Sequence, residues 1–386
     1  MYITILGRQP ALGIAELERL YGSSSVDFFS DHTALVNNEK FQLSRLGGTL
    51  KAGLVVAELS GDWRKVSQKI ITQYASNWAH HEGKITLGIS AYGFDVAPRE
   101  VQRTGIVLKQ QLKKTGVSLR LVPNGESALS SATSHHNKLG LSDNKIELLV
   151  VRGKGNKVVI AESTGAQNIT AYTKRDQERP KRDAFVGMLP PKLAQMMINL
   201  AHPADNSRIL DPFCGTGVIL QEAALMNYQV YGTDLADKMI DFSKTNLEWL
   251  RTSHHIDVKA SIRQGDAMTT TWQQPIDAVI GESYLGQPFS APPSLSKLAE
   301  VRRNCDHIIS SFLKNIENQI KPGTPLCIAI PAWKDTNGTF THLSLIGQLN
   351  SLGYERVEFK NITDKDLLYF REDQVVAREL LVLTKK

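Results

Sequence analysis

A chain of 386 residues, 41% hydrophobic and 22% charged, has the make-up of an ordinary folded protein long enough for two or three domains. No tract is low in complexity, no apolar run has transmembrane length, and the opening MYITILGRQP has neither the charged start nor the cleavage site of a signal peptide. A formal charge of +6 leans toward a polyanionic partner without requiring one, and three scattered cysteines (Cys214, Cys305, Cys327) offer no CxxC pair for zinc or redox work, which fits a reducing cytoplasm.

YITIL reads as a strand, and ALGIAELERLYG carries Leu12, Ala15, Leu17 and Leu20 at helical spacing before Gly22. VDFF and TALV follow as strands around the turn-like SDH. A short helical piece lies near FQLSRL, and TLKAGLVVAEL closes the unit as a strand. The order βαββαβ predicts a ferredoxin-like domain over residues 1–60.

A second unit is expected over residues 61–165. WRKVSQKIITQYASNW reads as a helix, KITLGISAYG as a strand, and REVQRTGIVLKQQLKK as a helix again. From Arg99 to Arg120, six basic residues (Arg99, Arg103, Lys109, Lys113, Lys114, Arg120) stand against one acid, Glu100. That excess reads either as a solvated helix face or as a surface for a polyanion. VSLRLV, IELLVV and KVVIAES are strands. The polar loop LSSATSHHNKLG between them holds His135 and His136, but adjacent side chains do not converge on one ion, so no metal site is expected.

Residues 166–183 read as a polar linker, and residues 184–386 as alternating strand and helix. PPKLAQMMINLA is a helix with proline at its start, SRIL a strand, TGVILQEAALM a helix and YQVYGTD a strand. LADKMIDFSKTNLEWL is a helix, and VKASIRQGD, IDAVI and LCIAI are three more strands. Helices are expected around LAEVRRNCDHIISSFLKNI and HLSLIGQLNSLG. YERVEFKNI and QVVARELLVLT end the chain as an antiparallel hairpin. This alternation predicts an α/β doubly wound sheet.

ILDPFCGTG begins at a strand end and opens a helix, and Gly215 and Gly217 let its backbone turn sharply and approach a ligand. Asp234 ends the next strand, nineteen residues after Gly215, where an acid can take both ribose hydroxyls. Asp266 ends the following one, where a carboxylate can accept an adenine amino group. Position 220 is Leu, so the loop lacks the third glycine of a dinucleotide fingerprint, and no GxxxxGK[ST] phosphate loop exists. Cys214 sits inside this loop, Cys305 in a helix and Cys327 in a strand, none placed as an attacking thiol.

DPFCGTG with its following acids resembles S-adenosylmethionine-dependent methyltransferases that act on exocyclic amines of nucleic acid bases. RDQERPKRDAFVGMLPPKLAQMMINLA, LSSATSHHNKL and LLYFREDQVVARELLVL are similar to segments of THUMP-containing tRNA guanine-N2 methyltransferases, the guanosine-10 group. The resemblance implies a class I methyltransferase domain, Rossmann-like with a closing antiparallel hairpin, preceded by an α+β ferredoxin-like and THUMP RNA-binding region. It implies S-adenosylmethionine as cofactor, with Asp211, Phe213, Gly215 and Gly217 on its methionine side, Asp234 at the ribose, and Asp266 with Ala267 at the adenine. It implies tRNA as partner and no membrane, with a small activating protein subunit left open. Arg99, Arg103, Lys109 and Lys113 become candidate phosphate contacts.

In such enzymes the fourth strand ends in Asn or Asp, two prolines and an aromatic residue. This chain has GESYLG. Aligned on the aromatic, Tyr284 keeps the stacking role while Ser283, Glu282 and Gly281 replace the rest. A one-residue shift lets the Glu282 carboxylate accept the amine's hydrogens, so Glu282 and Tyr284 are the catalytic candidates. Two alternatives stay open: a catalytically silent protein that binds cofactor and RNA, and an amino methylase acting on ribosomal RNA or DNA.

Overall fold

Runs of apolar and β-branched residues build two sheets, one in each of the units Met1–Ala171 and Tyr172–Lys386 into which the chain divides. The computed structural model describes residues 1–183 and 188–386.

The first unit carries β1 (Tyr2–Leu6), β2 (Val26–Ser30), β3 (Thr33–Val36), β4 (Thr49–Ser60), β5 (Ile85–Tyr92), β6 (Leu119–Leu121), β7 (Lys145–Arg152) and β8 (Lys157–Ala166). Their order in the sheet is β2-β3-β1-β4-β8-β7-β5-β6. The segments expected as two domains, 1–60 and 61–165, are therefore hydrogen-bonded to each other through β4 and β8, from Lys51 opposite Ala166 to Ser60 opposite Lys157. The twelve-residue β4 makes this possible, because it pairs with β1 along its first half and with β8 along nearly all of its length.

Helix α1 (Pro10–Tyr21) buries Leu12, Ala15 and Leu17, as their spacing predicts. Helices α2 (Trp63–Asn77) and α3 (Pro98–Lys114) place Val66, Ile70, Tyr74, Val101, Leu108 and Leu112 in one core with β5 and β7. The expected loop around His135 and His136 holds a short helix instead, α4 (Ser131–His136). Ser130 caps it by accepting the Thr133 N–H at 3.1 Å, a start signal hidden in a Ser/Thr-rich stretch that otherwise reads as irregular. Beneath the sheet Lys51 is buried, its Nζ 2.5 Å from Glu147 Oε1 and 2.7 Å from the Leu129 carbonyl, and Ser90 donates to the same carboxylate oxygen.

The expected linker over 166–183 contains helix α5 (Ile169–Gln177), and the expected start of the catalytic domain, residue 184, lies outside the described residues. The second unit then alternates through α6 (Pro191–Ala201), β9 (Arg208–Asp211), α7 (Val218–Leu225), β10 (Gln229–Asp234), α8 (Asp237–His254), β11 (Ala260–Gln264), β12 (Ala278–Glu282), α9 (Leu295–Glu317) and β13 (Pro325–Lys334). Four short or late strands complete it: β14 (Phe340–Thr341), β15 (Tyr354–Arg356), β16 (Leu368–Tyr369) and β17 (Val376–Lys385).

The main order is β11-β10-β9-β12-β13-β17-β15. Strands β9 to β13 are parallel, and β17 enters antiparallel between β13 and β15. This is the class I methyltransferase arrangement, with the closing antiparallel strand in place. Strand order reverses between β9 and β12, so the crevice of the fold opens at their carboxyl ends. The helix expected over HLSLIGQLNSLG is reduced to a 3₁₀ segment, Ser344–Gln348. Gly347 and Gly353 weaken that stretch, while Leu345, Leu349 and Leu352 still reach the core. No helix among the described residues is long and apolar enough to cross a membrane.

Candidate active site

Four carboxylates stand at or just beyond the carboxyl ends of four neighbouring parallel strands: Asp211 on β9, Asp234 on β10, Asp266 beyond β11 and Glu282 on β12. Periodicity places each strand, and a parallel sheet sends all their ends to one edge. The edge is thus negatively charged, and burial decides which of its groups can carry that charge.

Asp234 is fixed at both oxygens. Its Oδ2 accepts the Gly215 N–H at 3.0 Å and its Oδ1 the Ala236 N–H at 3.0 Å. Each oxygen keeps a further lone pair, so the carboxylate is held in one orientation while still able to accept a pair of hydroxyls. Gly215 has φ +50°, and a Cβ there would come no nearer than 3.9 Å to the Phe213 carbonyl, so the space above it is open. Gly217, at φ +81°, is the opposite case, since a Cβ would stand 2.9 Å from Ser243 Oγ. The open cradle over Gly215 beside the fixed Asp234 fits a ribosyl cofactor such as S-adenosylmethionine.

Two residues of α8 that sequence reasoning passed over hold this loop in place. Ser243 donates to the Gly215 carbonyl at 2.8 Å, and the Asn246 amide donates to the carbonyls of Thr216 and Lys181 while accepting the Lys181 N–H. Both are buried polar residues in an amphipathic helix, which is the signal that could have singled them out.

Asp211 is fully buried and accepts the Phe213 N–H at 3.1 Å. Burial pushes its carboxyl well above the usual range, and the neighbouring charges of Asp234 and Glu282 push the same way. Phe213 packs edge-on to Phe312 with ring centres 5.1 Å apart. Asp266 accepts the Met268 N–H at 2.9 Å, and Ala267 is buried in the core, its carbonyl taking a hydrogen bond from Asn315. Cys214 is buried under the loop with its thiol pushed up by desolvation, and Cys305 is pushed up to about 12. All three thiols are buried, so none presents a ready nucleophile.

At the end of β12, Ser283 is buried and both its N–H and Oγ donate to the Ala329 carbonyl on β13. That bond pair pins the strand end and turns Tyr284 outward, 42% exposed. Glu282 projects from the other side of the ladder and is held by Arg378 of β17, a partner that no local pattern suggested. Burial raises the Glu282 pKa and the Arg378 guanidinium opposes the rise. A buried Arg-Glu pair inside the apolar strand VARELLVL is the trace of this contact in the sequence.

In the first unit, Arg99, Arg103, Lys109 and Lys113 are all exposed on α3. At about 100° per residue they fall within an arc of about 120°, opposite the stripe of Val101, Leu108 and Leu112 that enters the core. Among the described residues no group of three or more His, Cys, Asp or Glu side chains could hold a metal ion.

Residues 179–343 match the UPF0020 family model, an RMKL-like methyltransferase domain, and residues 94–245 match a DNA methylase model. The chain is 30% identical to the tRNA (guanine(10)-N2)-dimethyltransferase of Methanothermobacter thermautotrophicus, over 42% of this chain and 44% of that protein. It is 36% identical to the protein of the same name from Pyrococcus abyssi, over 27% and 26%. With the "Probable tRNA (guanine(10)-N2)-dimethyltransferase" of Methanothermococcus thermolithotrophicus it shares 33% identity over 28% of this chain and 68% of that one. The chain spans less than half the length of the first two of these relatives. The solved structure of TrmN from Thermus thermophilus has the same fold, with a TM-score of 0.54 at 18% identity, covering 100% of this chain and 99% of that one.

Proposed function

The chain belongs to the tRNA guanine-N2 methyltransferase family, and from that premise we propose that it transfers a methyl group from S-adenosylmethionine to the exocyclic N2 amine of a guanosine in tRNA, at position 10. The observation that carries the reading is the juxtaposition, at one sheet edge, of the glycine loop tied to Asp234 and the strand end that bears Glu282 and Tyr284.

The cofactor, when bound, supplies a methyl group already activated on a positive sulfur, which keeps the electron pair of the bond that breaks. Asp234 would hold its ribose, Asp266 and Ala267 its adenine, and Asp211, Phe213, Gly215 and Gly217 its methionine end. The guanine amine shares its lone pair with the ring, so the protein must localise that pair and aim it. Tyr284 would stack on the base and set its plane. The Glu282 carboxylate would accept an N2 hydrogen and then the proton that the methylated nitrogen sheds.

Residues 1–60 and 61–165 would form the RNA-gripping region, ferredoxin-like and THUMP, with Arg99, Arg103, Lys109 and Lys113 of α3 against phosphates. The reading places the protein in the cytoplasm. Replacing those four residues by Ala should weaken tRNA binding and flatten its dependence on salt, with cofactor affinity unchanged. The central test is mass spectrometry of digested tRNA from a strain lacking the gene. Loss of a methylated guanosine is expected, and an unchanged profile would overturn the reading. Assaying the purified chain alone and with cell extract decides whether a small activating subunit is needed.

Gly281, which offers no side-chain acceptor, favours a second reading as a protein that binds cofactor and RNA without catalysis. Purified protein that binds both yet transfers no methyl in either assay would establish it.

A further inference from the structure

We propose that Arg378 is a positioning residue for the reaction, holding the Glu282 carboxylate at the end of β12 in one orientation and as a hydrogen-bond acceptor for the target amine. This rests on the reading that Glu282 meets that amine.

The geometry is specific. Glu282 lies opposite Ala329 of β13, and Ala329 lies opposite Leu380 of β17. Arg378 is two residues from Leu380 on the same face of β17, opposite Pro331. Strands β12 and β17 are thus separated by the whole width of β13, about 10 Å. Glu282 and Arg378 meet only because the row between them carries the short side chains of Ala329 and Pro331. Both partners are largely withdrawn from solvent, with 9% of the Arg378 side chain and 16% of the Glu282 side chain exposed.

Burying a guanidinium in a strand whose buried positions are mostly Ala, Leu and Val is costly, and an apolar residue at 378 would pack there more cheaply. A requirement at Glu282 accounts for the Arg. Glu379, its neighbour in sequence, points to the opposite face, where His342 Nδ1 lies 2.6 Å away and Arg356 3.7 Å, so it does not compete for Arg378.

Arg378 of β17 is the charged group held against Glu282, and on the acidic side Asp211 of β9 feels the charges of both Glu282 and Asp234. Three carboxylates at one sheet edge cannot all ionise freely. Burial drives both Asp211 and Glu282 upward; Asp211 is pushed further by its two acidic neighbours, whereas at Glu282 the permanent cation of Arg378 limits the rise. An ionised Glu282 accepts an N2 hydrogen, whereas a protonated one would aim its own O–H at the nitrogen lone pair that the methyl transfer needs.

The test compares R378M, R378K, E282Q and the double variant E282Q/R378M in single-turnover methyl transfer with saturating cofactor across pH. R378M should lower the maximal rate about 100-fold, with cofactor affinity changed less than threefold. Its acidic limb should move to higher pH by about one unit, the size expected for loss of one adjacent cation. R378K should return the limb toward wild type without recovering the full rate. In the E282Q background R378M should add less than threefold, since both act through one group.

Carbon-13 NMR of glutamate-labelled protein, with Glu282 identified by the resonance absent from E282Q, should show its titration moving up in R378M. An unmoved titration, or an R378M effect as large in E282Q as in wild type, would overturn the proposal. Wild-type activity in E282Q would overturn the role of Glu282 itself. If the wild-type protein transfers no methyl at all, the proposed function fails, and the NMR titration still decides whether Arg378 keeps Glu282 ionised.

Discussion

Gly281 stands against Asp211, and a Cβ at position 281 would lie 3.0 Å from Asp211 Oδ1 and 3.1 Å from Pro212 Cδ. The place where the related motif bears an acidic or amide side chain is filled here by the buried carboxylate of the preceding strand in the sheet. Any side chain at 281 would therefore have to push Asp211 or Pro212 aside by a few tenths of an ångström. Restoring the family residue should harm the protein. We expect Gly281→Ala to cost about 1–3 kcal/mol through overpacking, and Gly281→Asp to cost more, because it sets a second carboxylate against the first. Thermal unfolding and cofactor titration of the two variants check this, and a gain in activity by Gly281→Asp would contradict it.

The two loop glycines should fail in different ways. Gly217→Ala strains the backbone at φ +81° and strikes Ser243, so it should lower the melting temperature and loosen the loop. Gly215→Ala comes no nearer than 3.9 Å to any protein atom outside its chain neighbours and should cost only the backbone penalty of about 1 kcal/mol. Its methyl group would occupy the open cradle, so cofactor affinity should fall at least tenfold. Calorimetric titration beside thermal unfolding separates the two outcomes.

Asp211→Asn carries a stability signature in pH. The folded-state pKa of Asp211 is raised above its unfolded value of about 3.9. The buried carboxyl is therefore no burden below that unfolded value and becomes one as pH rises toward the folded value. The Asn variant removes the burden and can still accept the Phe213 N–H. Its melting temperature should exceed that of wild type at pH 8 by more than at pH 5, while cofactor binding weakens. Equal differences at both pH values would show that Asp211 is not held protonated by burial.

In the first unit the buried Lys51–Glu147 pair predicts a non-additive pair of substitutions. Lys51→Met alone leaves the Glu147 carboxylate buried against Ser90 and should cost about 3–5 kcal/mol. Adding Glu147→Leu removes the stranded charge and should recover much of that loss. Urea unfolding followed by proteolysis of this unit reads both.

Much of the second unit was legible from local pattern. Strands β9, β10, β12 and β13 stand out as short, nearly continuous apolar runs because the parallel sheet buries both of their faces, and the glycine turn of ILDPFCGTG is marked by the two residues able to adopt its left-handed angles. The acids at the strand ends follow from that register. The short polar helices α4 and α5 were not legible, since capping decides them and no apolar stripe announces it.

The sequence by itself determined which residues end the strands, because strand ends follow from periodicity and turn chemistry within a few residues. The tertiary structure alone decided how those ends are charged and shaped. Arg378 reaches Glu282 from 96 residues away, once β17 has slotted between β13 and β15. Gly281 acquires its meaning only from the carboxylate that β9 sets against it. Contacts across a sheet depend on strand order and on the size of the side chain between, and neither is written in the local sequence of the residues that meet.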